Sequence, residues 1–268
     1  MCIAYIDFDP HRPAPLYIAA NRDEFHQRPT QPIHLWPDHP GLLAGRDLEA
    51  GGTWLGIHLH THRFALVTNY REPNHPTPPN AISRGHLVQN FLIGTLKAAD
   101  YLKHLQQQAH RYAGFNLIVG DDLISPHATL WYYSNRSPEP PRSLAAGRYV
   151  LSNHLLDTPW PKANRLKQNM IQALQAPTMT QQLENSLKAL NDRRQASVHC
   201  LPHTGLSLDR EQLLSSIFIV SPDYGTRCST VLIMSAQNKG LLSEQSYTAQ
   251  GHPTDRIDWP LQFSLNNG

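Results

Sequence analysis

The sequence predicts an α+β chain: two stacked, mainly antiparallel sheets with helices on their outer faces. Three observations predict it. Before residue 70 the apolar residues come in short paired runs with turn chemistry between them, as hairpins require. Helical spacing is confined to stretches near 83–110 and 158–190, each with one apolar stripe. Strand patterns return between and after those stretches. Strand pairs, then helices, then more strands fit two sheets packed on each other with helices outside.

The elements follow in order. Ile3 to Phe8 reads as a strand and Leu16 to Ala20 as its partner, with Asp9-Pro10 and Arg12-Pro13-Ala14-Pro15 as turn chemistry. Antiparallel pairing about His11 or Arg12 sets Cys2 opposite roughly Asn21. Phe25 to Asp47, punctuated by Pro29, Pro32, Pro37, Pro40 and Gly41, reads as loop. Gly51-Gly52 precedes a second hairpin, Thr53 to His58 and Phe64 to Tyr70. Glycine there suits a tight turn or bulge; a phosphate cradle would open a helix instead. His58, His60 and His62 alternate as a metal comb would, but they fall where the hairpin turns, with no Cys or carboxylate interleaved. A loop tip is expected, and no metal site.

Arg71 to Pro79 is too rich in proline for helix or central strand and is expected at the rim of any site that includes Asn69. Ser83 is expected to cap a helix running to about Ile93, with Leu87, Val88 and Phe91 on one face. A second helix, about Leu96 to His110, buries Leu102, Leu105 and Ala109. Phe115 to Val119 and Thr129 to Tyr133 are strands around Asp121-Asp122, and Tyr149 to Ser152 is a strand ending at Asn153. Asp157 or Thr158 is expected to cap a helix with Pro159 in its first position and Leu166, Met170, Ile171 and Leu174 on its apolar face. Thr180 opens another, with Leu183, Leu187 and Leu190 at helical spacing. Ser216 to Ser221, Cys228 to Met234 and Leu241 to Thr248 are the last strands expected. No repeat, low-complexity tract or linker divides the chain, so residues 1–268 are expected to form one domain.

A chain of 268 residues with 40% hydrophobic content suffices for one sizeable core. A charged fraction of 16% and a net charge of +2 give no electrostatic case for nucleic acid or an anionic membrane surface. Cys2, Cys200 and Cys228 have no metal-type spacing and leave one over from any pairing, which favours free thiols in a reducing compartment. No stretch approaches the roughly 20 apolar residues of a membrane span. Asp7 and Asp9 interrupt any signal-peptide core. A cytoplasmic protein with no transmembrane segment is expected, its oligomeric state open.

The start of the chain carries the chemistry. Initiator methionine is commonly removed before a small residue such as Cys2. The new terminus then holds an amine with a reference pKa of about 8 and a thiol of about 8.5 on one residue. The amine can take the thiol proton, so nucleophile and base come as one unit. Against this stands the plain reading of Cys2 as a small buried strand residue.

Ala19-Ala20-Asn21-Arg22-Asp23-Glu24-Phe25, followed by Arg28-Pro29-Thr30, resembles the signature of the NRDE family, which includes the transport-and-Golgi-organisation proteins. The resemblance continues through Leu43-Ala44-Gly45-Arg46-Asp47-Leu48, Gly51-Gly52-Thr53-Trp54-Leu55-Gly56, Leu66-Val67-Thr68-Asn69-Tyr70-Arg71, Ser83-Arg84-Gly85, Gly114-Phe115-Asn116-Leu117, Leu151-Ser152-Asn153, Asp157-Thr158-Pro159-Trp160 and Tyr224-Gly225-Thr226-Arg227, in order along nearly the whole chain. That family is similar to N-terminal nucleophile (Ntn) hydrolases, so the resemblance implies a four-layer αββα sandwich. It also implies a link to haem movement or to acyl-lipid handling.

In the cysteine members of that superfamily, choloylglycine hydrolases and penicillin V acylases, the site has five kinds of part. These are a first cysteine, an Arg-Asn-x-Asp run after the first hairpin, an asparagine ending an early strand, another ending a middle strand, and a late arginine. The resemblance carries these onto Cys2, Asn21-Arg22-Asp23, Asn69, Asn153 and Arg227, with Ala20 standing where the run has its arginine. Asp23 would hold the α-ammonium or orient the amine, the backbone N–H at or after Asn69 and the Asn153 side-chain amide would bind a developing oxyanion, and Arg227 would depress the thiol pKa or hold a substrate carboxylate. Cys2 is expected within a side-chain length of Asp23, with Asn153 and Arg227 facing the same cleft.

Two functions remain open on these residues. One is a hydrolase or acyltransferase that attacks a linear amide C–N bond or a thioester through Cys2, with no cofactor required. The other is a non-enzymatic carrier of haem or an acyl chain. Asn21, Arg22, Trp54 and Tyr70 are its expected ligand contacts, and Trp36, Trp131 and Trp160 further candidates for a cleft wall. A histidine or the Cys2 thiolate would ligate haem, with His26, His75 and His154, which flank the proposed site segments, as the candidate histidines; no CxxCH motif is present.

Overall fold

The computed structural model describes residues 2–235 and 239–263. The expected removal of Met1 concerns a residue outside these. The strands are β1 (Cys2–Phe8), β2 (Leu16–Phe25), β3 (Thr30–Leu35), β4 (Leu42–Asp47), β5 (Leu55–His58), β6 (Arg63–Asn69), β7 (Phe115–Asp121), β8 (Thr129–Ser134), β9 (Arg142–Ser143), β10 (Gly147–Leu151), β11 (Tyr224–Ser235), β12 (Lys239–Tyr247) and β13 (Pro253–Gln262). The helices are α1 (Gly85–Ile93), α2 (Ala98–Gln108), α3 (Pro161–Ala173), α4 (Met179–Leu190) and α5 (Leu208–Leu213).

The strands make two sheets, ordered β10-β1-β2-β11-β12-β13 and β3-β4-β5-β6-β7-β8-β9. Every pairing among the described strands is antiparallel. Alternation along β1 shows how the layers form. Ala4, Ile6 and Phe8 point into a core shared with Leu43, Ile57, Phe64 and Ile118 of the second sheet. Ile3 and Tyr5 point the other way, onto Leu166 and Met170 of α3 and Leu183 and Leu187 of α4. On the far side, Val67, Leu117 and Val119 pack under Leu87 and Phe91 of α1 and Leu102 of α2. The order is helices, sheet, sheet, helices: the four-layer αββα arrangement that the resemblance implies.

Several elements depart from the sequence pattern. Phe25 to Asp47 is not loop but contains β3 and β4. The prolines are tolerated because β3 is an edge strand, and Pro32 lies at a bulge between Gln31 and His34. Strand β2 does not stop at Ala20 but runs to Phe25, because β11 pairs with it as far as Tyr224. Residues 21–24 therefore alternate between faces instead of forming one cluster. Ser216 to Ser221 is not a strand; it is a largely buried irregular segment with one bridge, Val220 to Gly225. A short apolar run signals burial but not its geometry. Helix α3 has Pro161, not Pro159, in its first turn. Asp157 sits instead in a left-handed turn and accepts from the Val150 N–H. Thr178, not Thr180, caps α4 through a bond from the Gln181 N–H. Helix α5 and strand β13 carry no pattern that the sequence reading found.

The glycine pair does two jobs. Gly51 takes φ +80°, and a Cβ on Gly52 would lie 2.5 Å from the carbonyl carbon of Gly85. That close approach seats the start of α1 beside Thr53 and Trp54.

Candidate active site

The ends of β1, β2 and β6 and the start of α1 surround a cavity of about 880 Å³, with the Arg71–Thr77 stretch and α5 on its rim. Cys2 stands in its wall at the head of β1, paired with Arg22 of β2, which pairs in turn with Cys228 of β11. Burial pushes the Cys2 thiol above its usual range, as does the charge of Asp23. The Arg22 guanidinium and a hydrogen bond from the Asp23 backbone draw it down.

Asp23 is buried on the opposite face of β2. Its Oδ1 accepts from Thr226 Oγ1 at 2.7 Å and its carbonyl accepts from the Tyr224 hydroxyl at 3.0 Å. Burial raises its pKa, against the charge of Lys162 and the Thr226 bond. Lys162 is 1% exposed on the first turn of α3, and its Nζ donates to Asn153 Oδ1 at 3.3 Å. Burial, helped by the charge of Arg71, lowers the lysine to about 7; Asp23 and Cys2 oppose that shift. Asn153 Nδ2 in turn donates to Asn69 Oδ1 at 3.0 Å. Arg71 forms a buried ion pair with Glu211 of α5 at 2.8 Å, lies over the Trp160 ring, and sends its backbone N–H to the Asn153 carbonyl.

The sequence-expected residues separate into three groups. Cys2, Arg22, Asp23, Trp54, Asn69, Tyr70 and His75 line the cavity. Arg22 stacks on Trp54 with its guanidinium carbon 4.3 Å from the ring centre and donates to Thr30 Oγ1. Asn153 is fully buried behind the wall, bonded to the cavity-lining Asn69 and Arg71, and the backbone N–H after Asn69 is taken by the Gly114 carbonyl rather than left for an oxyanion.

Six residues stand elsewhere than expected. Arg227 does not face the cleft. It is the extra residue at a bulge between Thr226 and Cys228, and its guanidinium donates to the carbonyls of Phe25, His26 and Arg28; a bulge re-aims the side chain it carries. Asn21 faces the helix side, donating to the Leu190 and Ile217 carbonyls and accepting from Ser229. His26 is engaged with the Ser221 carbonyl. His154 is held between the Tyr70 hydroxyl at 2.6 Å and Thr158. Trp36 and Trp131 belong to the core beneath α1 and α2 rather than to the cleft.

Lys162, Arg71, Arg84, Tyr224 and Thr226 are the site groups the sequence reading missed. Lys162 had a signal: it lies one and two helical repeats before Leu166 and Met170, so a lysine sits on the stripe that faces the core. Arg84 lines the cavity and donates to the Gly114 carbonyl. Among the described residues no group of three or more His, Cys, Asp or Glu side chains is placed to hold a metal, and no helix is long and apolar enough to cross a membrane.

Residues 1–249 match the family model described as Transport and Golgi organisation 2. The chain is 37% identical over 262 residues to the Transport and Golgi organization protein 2 homolog of Bos taurus, covering 92% of this chain and 93% of the relative. It is 35% identical over 260 residues to the Homo sapiens homolog, with the same coverage of each. Among solved structures it is similar to a Caenorhabditis elegans N-acylethanolamine-hydrolyzing acid amidase ortholog, with a TM-score of 0.45 and 9% identity over 86% of this chain and 92% of that one.

Proposed function

Because the chain belongs to the Transport and Golgi organisation 2 family, whose name specifies no reaction, we propose from the geometry around Cys2 that it is an Ntn-type cysteine acyl hydrolase or acyltransferase. The substrate class is a linear amide or a thioester. Once Met1 is removed, the Cys2 α-amine takes the Sγ proton and the thiolate attacks the substrate carbonyl carbon. The C–N or C–S bond breaks, the amine returns the proton to the leaving group, and water hydrolyses the acyl–Sγ thioester. Asp23, held by Thr226 and Tyr224, orients the amine. Because Asn69 Oδ1 accepts the Asn153 amide, the Asn69 Nδ2 is the donor left for an oxyanion. Free thiols at Cys2 and Cys200 suit a reducing compartment, and the proposal puts the reaction in the cytoplasm.

The observation that carries this reading is the position of Cys2: at the head of β1 in the cavity wall, paired with Arg22 and with Asp23 next along β2. The test is intact mass of the purified protein before and after activated acyl probes, with Cys200 changed to alanine. Loss of Met1 and an acyl adduct that disappears in Cys2→Ser are expected. Equal labelling of Cys2→Ser would dispose of it.

The second reading is a carrier that turns nothing over. What favours it is that burial raises the Cys2 thiol pKa, which works against the thiolate that acyl transfer needs. Its ligand would be an acyl lipid or haem. Of the three candidate histidines only His75 lines the cavity, so a haem band surviving in His75→Ala would exclude histidine ligation there and leave the Cys2 thiolate.

A further inference from the structure

The wall around Cys2 holds a guanidinium, Arg84, to which acyl transfer as proposed gives no work. The other arginines of the wall are answered. Arg22 and Arg28 share Asp47, at 3.8 and 2.8 Å. Arg71 holds Glu211 at 2.8 Å, and Arg210 is exposed. The nearby Glu72 is spent on Arg136, which reaches both its oxygens. Arg84 is half-buried, and among the described residues its guanidinium bonds only to an uncharged acceptor, the Gly114 carbonyl at 3.1 Å. Taking a cation part-way out of water is costly, and a neutral carbonyl offsets little of that cost. One N–H on Gly114 leaves the guanidinium a two-donor edge, the shape that matches a carboxylate.

The place of Arg84 narrows what that carboxylate belongs to. The Gly114 carbonyl also accepts the Tyr70 N–H, so a single carbonyl separates Arg84 from the residue after Asn69. Asn69 carries the amide assigned above to the oxyanion, so Arg84 stands beside the reacting carbonyl rather than at a remote end of the cavity. In an N-acyl amino acid the carboxylate carbon lies two bonds from the scissile nitrogen. We propose that the substrate is an N-acyl amino acid and that Arg84 binds its carboxylate. The acyl chain lies against Leu206, Leu213 and Leu214, an apolar group that lines the cavity at and before α5. As the acyl carbon joins Cys2 Sγ, the amide C–N bond breaks. The leaving nitrogen takes the thiol proton from the amine, and the amino acid departs with its carboxylate. Water then releases the acyl chain as a carboxylic acid. This inference rests on the acyl-transfer reading and adds to it the leaving group and the residue that selects it.

The experiment compares N-dodecanoylglycine with N-dodecanoylglycinamide, which has the same shape and no charge. Their dissociation constants are read by tryptophan fluorescence in the Cys2→Ser chain, where turnover is blocked. The acid should bind roughly tenfold more tightly than the amide. Arg84→Gln, which keeps a donor for Gly114, should erase that gap by weakening the acid alone. Equal affinities with Arg84 in place overturn the proposal, and that comparison needs no variant to fold. So does a gap that persists in Arg84→Gln. Dodecyl phosphate binding more tightly than the acid, again through Arg84, would assign the site to a phosphate and overturn the N-acyl amino acid. Glycine release by the chain with Cys2 intact then separates the two readings. An Arg84-dependent gap without release would sink the reaction and leave the carboxylate site standing. Release of glycinamide as fast as glycine would keep the reaction and remove the site.

Discussion

Cys2 and Cys228 flank Arg22 on the same face of one sheet, and the fold gives them opposite surroundings. Cys2 stands at a strand end, half-buried in the wall of a large cavity. Cys228 lies mid-sheet, 5% exposed, against Glu244 of β12. Burial raises both thiols, and Arg22 draws both down. The local hydrogen bond then separates them. The Asp23 backbone bond to Cys2 favours the thiolate, whereas the bond between Cys228 and Glu244 favours the neutral thiol. A shared neighbour and a shared face do not make two cysteines equivalent; access and a single donor do the sorting.

Thiol labelling is where this contrast should be largest. In the native protein iodoacetamide should modify Cys2 at least about 100-fold faster than Cys228, because Cys228 reacts only through local opening. In denaturant the two should react alike. Equal native rates, read by peptide mass spectrometry, would break the comparison at its root.

Arg22→Gln should sharpen it. The guanidinium is buried, donates to Thr30, stacks on Trp54 and lies 3.8 Å from Asp47. Asp47 keeps Arg28 at 2.8 Å, and Glu24, 4.0 Å from Arg22, is partly open to solvent. A loss of about 1–3 kcal/mol is expected in a denaturant melt. Both thiols should need higher pH to react. A shift confined to Cys2 would mean that Arg22 serves the cavity alone.

Much of this contrast was legible before the structure. The hairpin needed only alternation and turn residues, and its arithmetic placed Cys2 within one residue of its true partner, Arg22 rather than Asn21. Asp23 came from the family resemblance, since the strand pattern stopped at Ala20. Arg227 was mis-aimed because a bulge leaves no mark on composition or period. The Arg71–Glu211 pair joins residues far apart in the chain, and nothing local in either segment names the other. Strand β3 was hidden by prolines that only an edge position makes harmless. Local pattern shows what an element is; which side chains converge is decided by contacts between elements.

The smallest expected effect concerns Glu244, the partner that silences Cys228. Its Oε1 accepts from the Ile33 N–H at 3.0 Å and its Oε2 from Thr230 Oγ1 at 3.2 Å, tying β12 to β3 across the two sheets. Burial raises its pKa, partly offset by those bonds, by Cys228 and by Arg22. A carboxyl whose folded pKa lies above its unfolded value contributes its full stability below the unfolded value. That contribution is lost as pH rises through the folded one. Glutamine keeps the shape and an acceptor for Ile33 but does not titrate. Glu244→Gln should therefore be mildly destabilising, by roughly 1 kcal/mol, at acid pH. The deficit should shrink or reverse as pH rises, by up to about 1.4 kcal/mol per pH unit between the two pKa values. Thermal melts from pH 4 to 8 read this directly. A deficit that stays constant or grows with pH would mean that Glu244 is held ionised, with Arg22 as its counter-charge. Cys228 would then lie between two charges rather than beneath a neutral cap.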